Sequence, residues 1–175
     1  SSAVIIPNVV RKPIISVSGA VCASLTITNT GGDTNTLTIA SNGSLAVSGA
    51  ITITGPIGGP QNTTINVGAG SMTASSITMN DSGNDNRDCI LSLSTGNVTI
   101  SGNITMNGST SRNQVSFTGA GTLNIGGIIS GGGLTPSTGT VNYNKSGAQT
   151  IGNFTYNNLT LSESNKKTFS SSALV

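Results

Sequence analysis

Short apolar, polar, apolar triplets recur from residue 25 almost to the end of the chain. This is the period of strands with one buried face, not of helices. In order they are Leu25-Thr26-Ile27, Leu37-Thr38-Ile39, Leu45-Ala46-Val47, Ile51-Thr52-Ile53, Ile65-Asn66-Val67 and Ile77-Thr78-Met79. Leu91-Ser92-Leu93, Val98-Thr99-Ile100, Ile104-Thr105-Met106, Val115-Ser116-Phe117, Leu123-Asn124-Ile125, Val141-Asn142-Tyr143, Phe154-Thr155-Tyr156 and Leu159-Thr160-Leu161 follow. A longer unit repeats as well. Gly43 to Ile53 matches Gly96 to Met106, and more loosely Gly121 to Ile129, each with two short strands meeting at a Gly corner.

Glycine suits such a corner because the chain bends there without a Cβ clash. Internal similarity of this kind predicts an all-β fold, a single-stranded parallel β-helix (β-solenoid) with short strands and Gly, Ser and Asn corners. The alternative is an antiparallel β-sandwich. Strands this short make poor hairpin ladders, and the Gly-joined unit leaves no room for a reversal, so the solenoid is preferred. With 7% charged and 3% aromatic residues, the core must be thin and made of Ile, Val, Leu and Met.

Residues 1–18 differ from the rest. Val4-Ile5-Ile6 and Pro13-Ile14-Ile15 are apolar patches separated by Pro7-Asn8 and the pair Arg11-Lys12, with no Gly corner. They read as an extended N-terminal arm or cap, and 19–175 as the β-solenoid. An open terminal coil must be covered or paired. Val4, Ile5, Ile6, Ile14 and Ile15 are therefore candidate assembly residues. The opening Ser1-Ser2-Ala3-Val4 lacks the features of a signal peptide, as a mature or excised fragment would. No run of about 18 apolar residues predicts a membrane span.

Val4-Ile5-Ile6-Pro7-Asn8, Pro13-Ile14-Ile15-Ser16, Cys22 to Ile27 and the Gly-Ser-Leu-x-Val-Ser-Gly unit resemble the Thr- and Gly-rich β-solenoid regions of large secreted Bacteroidota surface proteins. Gly147 to Ile151, Phe154 to Ser162 and Lys167-Thr168-Phe169 are similar to a segment recurrent in the same proteins. The resemblance implies an extracellular, cell-surface location, often reached by the type IX route, and an adhesive or matrix role.

The chain has no His, and its five acids are Asp33, Asp81, Asp85, Asp88 and Glu163. A Ser-His-Asp triad and a histidine metal site are excluded. Asp81, Asp85 and Asp88, close in sequence among Asn residues, are candidate calcium ligands through their hard oxygens. The simpler reading is a solvated loop with Arg87 paired to an acid, and no other cofactor is implied.

Cys22 and Cys89 leave open one disulfide or two buried thiols. Thr26 and Thr28, Thr36 and Thr38, and Thr52 and Thr54 would form a hydroxyl and methyl array if coils stack in register, as an ice-binding surface would, or are simply good outward strand residues. This array lapses after residue 78. Phe117, Tyr143, Phe154, Tyr156 and Phe169 read as core, and their grouping predicts a wider or differently shaped cross-section near the C-terminal end. Nine Asn-x-Ser/Thr sequons, at Asn42, Asn62, Asn80, Asn97, Asn103, Asn107, Asn144, Asn153 and Asn158, would accept glycans in a host with the machinery.

A net charge of +2 without a basic stripe argues against nucleic acid as partner. The expected function is an extracellular structural or adhesive protein, a rod that is an adhesin module or a subunit stacking end to end into a filament. Its partners would be further copies, joined end to end or through the arm, adjoining modules, or surface glycans. The alternatives are a carbohydrate- or ice-binding module and, behind these, a degenerate polysaccharide-active β-helix enzyme. An enzyme is not expected.

Overall fold

A computed structural model describes residues 2–31, 33–57, 61–81, 83, 88–108 and 111–170. The described chain is all-β and without helix, and it winds as a parallel β-solenoid. Each of the first six coils places one strand on each of three sheets, A, B and C in that order. The first coil is β1 (Ala3–Ile6), β2 (Ile14–Ile15) and β3 (Ala20–Cys22); the second is β4 (Ser24–Ile27), β5 (Asn35–Ile39) and β6 (Ser44–Val47). The third is β7 (Ala50–Thr54), β8 (Thr63–Val67) and β9 (Ser71–Ala74), and the fourth β10 (Ser76–Asn80), β11 (Cys89–Leu93) and β12 (Asn97–Ile100). The fifth is β13 (Ile104–Asn107), β14 (Asn113–Phe117) and β15 (Thr122–Ile125), and the sixth β16 (Ile129–Gly131), β17 (Gly133–Thr135) and β18 (Thr140–Tyr143). After these, β19 (Gln149–Ile151) pairs with β21 (Lys167–Phe169) in a small sheet D, and β20 (Asn158–Leu161) extends sheet C. Every ladder is parallel, which excludes the antiparallel sandwich.

The inward columns explain why the triplets carry Ile, Val and Leu. On sheet A, Leu25, Ile51, Ile77, Ile104 and Ile129 lie in register, and on sheet B Leu37, Ile65, Leu91, Val115 and Leu134 do the same. All but Leu134 are buried, so each coil adds one apolar layer to a continuous core. Of residues 1–18, expected as an arm or cap, the described residues 2–18 belong to the first coil. Through β1 and β2 they form the end strands of sheets A and B.

The coils shorten along the rod. Leu25, Ile51 and Ile77 are 26 residues apart at each step, whereas Leu123, Val141 and Leu159 are 18 apart. From Leu123 to Val141 the difference is mainly the corner between sheets A and B, which spans several residues in the early coils and is the single Gly132 between β16 and β17, whereas from Val141 to Leu159 the chain passes through β19 and no strand of sheet A or B. That corner turns with φ of +68° at Gly131 and +55° at Gly132, left-handed values that glycine adopts without penalty. Hence the C-terminal cross-section is differently shaped by being smaller, and aromatic rings fill it. Phe154-Thr155-Tyr156 is no strand, contrary to the triplet pattern. The Tyr156 ring meets both Phe154 and Tyr143 edge-on, and the Tyr143 and Tyr156 hydroxyls lie 3.0 Å apart, so side-chain contacts replace the ladder there.

Both cysteines are free and buried. Cys22 is on sheet C in the first coil and Cys89 on sheet B in the fourth. Three coil steps of about 4.8 Å separate their layers by roughly 14 Å, beyond a disulfide's reach. Burial raises the pKa of both thiols, that of Cys89 to about 12. In native protein neither should react with a thiol reagent at neutral pH, both should react in denaturant, and a reductant should leave the melting temperature unchanged. A titration of the thiols in each state checks this.

Candidate functional site

On sheets A, B and C the charged residues fall outside the strands. Arg11, Lys12, Asp33, Asp81, Asp85, Arg87, Asp88 and Arg112 all fall between a sheet A strand and the following sheet B strand. Lys145, Glu163 and Lys166 lie between sheet C and sheet D strands, and Lys167 opens β21.

The corner between A and B is a polar spine. Its inner row is the first residue of the sheet B strands, Asn35, Thr63, Cys89 and Asn113 in register. Each turns its side chain to a carbonyl at or beside the end of a sheet A strand. Asn35 Nδ2 donates to Thr28 O at 2.7 Å, Thr63 Oγ1 to Thr54 O at 2.9 Å and Cys89 Sγ to Asn80 O at 3.4 Å, while Asn113 Nδ2 donates to Asn107 O. These bonds satisfy carbonyls that leave the ladder where the chain turns. In the same corners, the buried Asn29 donates through Nδ2 to Asp33 O and Asn62 O, and Asp88 N donates to Asn62 Oδ1, so successive corners are tied together.

Asp81 is the best-connected acid among the described residues. Its Oδ1 accepts from Gly83 N at 2.7 Å, and its Oδ2 accepts from Asn113 Nδ2 at 3.1 Å and lies 3.6 Å from Arg112 Nε. Its side chain is 3% exposed. Asp88, at the far end of the same loop, has a raised pKa: burial is the main cause, Arg112 opposes it and Asp81 adds to it. Asp85, the third candidate calcium ligand, lies outside the described residues. Among the described residues, no three Asp, Glu, Cys or His side chains come together. The fold itself uses the oxygens of Asp81 as acceptors.

The two acids predict opposite effects. Asp81→Ala leaves the Asn113 and Arg112 donors without this acceptor and should destabilise by about 1–3 kcal/mol. For Asp88, a folded pKa above the unfolded value of 3.8 means the native state holds the proton more tightly. Its penalty is therefore present at neutral pH and is relieved as pH falls through the folded value. Asp88→Asn should raise the melting temperature at pH 7, with the gain vanishing below pH 3.8. Thermal melts from pH 3 to 8 read both.

Sheet A presents the threonine rows. Thr26, Thr52, Thr78 and Thr105 stand in register on its outer side, so the row runs one coil beyond where the sequence spacing lapses. On sheet B, Thr36 pairs with Thr64, but Thr38 meets Asn66, so no such row forms there.

The clefts of the described surface are shallow. One of about 220 Å³, between Gly126, Gly127 and Gln149, holds Lys145 and no carboxylate. There Gln149 Nε2 donates to Ile125 O at 2.7 Å and Gly127 O at 2.8 Å, and its Oε1 accepts from Lys167 Nζ at 2.8 Å. One amide thus ties β19 to the coil before it, where the backbone ladder of sheet A stops.

Of the candidate assembly residues, Ile5 is 69% exposed and Ile14 66%. Ile6 and Ile15 pack against the core. Val4 is in register with the buried Leu25 yet remains 38% exposed, because it lies at the rod's end. Val21, which the sequence reading did not single out, is 68% exposed. Comparison with protein-family models, with curated proteins and with solved structures finds no match to this chain.

Proposed function

We propose that this chain is a structural rod of an extracellular surface or matrix assembly, serving as a module of an adhesin or as an assembling subunit rather than as a catalyst. The observation that carries the reading is the arrangement of charge around the ladders. Three uncharged faces run along a continuous apolar core, and the charged residues between sheets A and B sit at the corners, where Asp81 accepts from Asn113 and lies beside Arg112. Such faces can lie against neutral polymers or other rods without desolvating charge. The parallel ladders oppose extension, because pulling the ends apart must peel the coils in turn.

Immunogold labelling of intact source cells tests the location. Label on the outer surface is expected, and label confined to the cytoplasm of sectioned cells would sink the proposal.

The four-threonine row on sheet A favours a second reading, a carbohydrate- or ice-binding face. Under it, Thr52→Lys with Thr78→Lys would abolish retention on neutral polysaccharide or inhibition of ice recrystallisation. Absence of both activities in the unaltered protein ends it.

A further inference from the structure

The corner between sheets C and A differs from the one between A and B. It carries no acid, whereas Asp33, Asp81 and Asp88 all lie between A and B. Three clefts of about 240, 410 and 220 Å³ follow one another along it. The first and second share Thr99 and Ser101, and the second and third share Asn103 and Lys145, so they form one groove parallel to the rod axis. We infer that this groove binds a linear acidic polysaccharide, a polyuronate, with Lys145 holding a carboxylate and the neighbouring side chains bonding the sugar hydroxyls.

Length and lining point to a polymer of this kind. The groove starts beside Val47, at the end of the second coil, and reaches Lys145, just past the sixth; four coil steps make it roughly 19 Å long. That span suits an extended chain. The hydroxyls of Thr73, Ser75, Thr99 and Ser101 make no hydrogen bond among the described residues, so they can bond a ligand. Asn103 Oδ1 accepts from Ile128 N at 3.0 Å, which fixes the amide and leaves its Nδ2 to donate. The floor at Gly126 and Gly127 is bare main chain, because a Cβ there would strike Ser101 O and Asn103 Oδ1. A peptide would need a free strand edge, and β6, β9, β12 and β15 are each paired on both sides.

Charge sets the sign of the ligand. The Lys145 side chain is exposed, and its ammonium makes no ion pair or hydrogen bond among the described residues. Lys167 Nζ donates to Lys145 O and to Gln149 Oε1, both at 2.8 Å, which sets a second ammonium beside the first. Glu163, two positions past β20, pairs with neither lysine. Two uncompensated cations at one end of an otherwise neutral groove attract an anion, and an ammonium donates to a carboxylate by charge-assisted bonds. Nucleic acid would need cations along the whole groove, and Lys145 lines one end alone.

The inference deepens the extracellular reading and rests on it only in taking polysaccharide as what surrounds the rod. Titration calorimetry with polygalacturonate oligosaccharides tests it, beside the same oligosaccharides with their carboxyls reduced to alcohols. The acid form should bind roughly tenfold or more tighter than the reduced form. Lys145→Gln should weaken binding of the acid form by roughly tenfold, Lys145→Arg should keep most of it, and Ser101→Asp, which sets a carboxylate in the groove, should abolish it. Thr52→Val, on the outer side of sheet A and away from the groove, should leave the affinity unchanged.

No binding of the acid form, equal affinity for the reduced form or for single-stranded DNA, or an affinity indifferent to both Lys145→Gln and Ser101→Asp would overturn the groove. Any of these found together with label on the outer surface of cells would do so while leaving the structural rod standing.

Discussion

Ile77→Asp is expected to destroy cooperative unfolding of the rod and to leave the protein largely insoluble. Ile77 is fully buried in the fourth coil, with Ile51 and Ile104 in register on either side. Removing such a side chain alone costs about 2–5 kcal/mol, and burying an unpaired carboxylate there adds several more. That sum rivals the roughly 5–15 kcal/mol that holds a typical domain together. Because each coil touches only its neighbours, damage at the centre also uncouples the two halves. Ile90, one position before Leu91 on sheet B, outward and half-buried, is the matched control: Ile90→Asp removes less packing, leaves its carboxylate within reach of solvent and should stay folded. Denaturant titration followed by circular dichroism compares the two.

Gly96→Val is the second large effect, and it acts through backbone. The corner between sheets B and C is stacked so closely that a Cβ on Gly96 would land on Gly70 O and sit 3.0 Å from Val67 Cγ1 and 3.1 Å from Gly68 O. Gly96 N and Asn97 N donate to Gly68 O at 2.8 Å and Gly70 O at 3.0 Å, so the corner cannot open without loosening the ladder. Overpacking of this kind costs roughly 3 kcal/mol. Gly147→Ala, with only Lys145 Cε at 3.7 Å from the added carbon, should be close to neutral. A difference of many degrees in melting temperature between the two would show that close stacking, not the loss of glycine as such, is responsible.

The contrast between those glycines also marks what could be read in the sequence. Solenoid, strand period and Gly corners were legible because inward Ile, Val and Leu repeat with period two, and corners such as that at Gly96 stack so closely on the one below that a Cβ does not fit. β9 escaped because its inward residues, Met72 and Ala74, break the Ile and Val pattern while still filling the layer. β16 and β17 escaped because they are three residues long and joined by glycine.

Phe154 and Tyr156 misled because alternation alone cannot tell a strand from rings held by a shared hydroxyl contact. The polar row of Asn35, Thr63, Cys89 and Asn113 was hidden by its differing residue types. What unites these is a common task, satisfying the carbonyl at the turn. Arg112, partner of Asp81, lies 31 positions away, and only the coil length brings them together. Likewise, that Ile5, Ile14 and Val21 share the outward position of the first coil becomes visible only once each residue is assigned to a face.

The stacking of coils in register is the claim on which everything else depends, and a distance between two outward positions on one sheet tests it most directly. In a background of Cys22→Val and Cys89→Thr, residue types already found at equivalent positions in neighbouring coils, spin labels would be placed at Thr26→Cys and Ser130→Cys. Four coil steps separate these on sheet A, so a single narrow distance of roughly 19 Å, widened only by the label arms, is expected. A broad distribution, or a distance several coil steps longer, would contradict the solenoid and the function built on it.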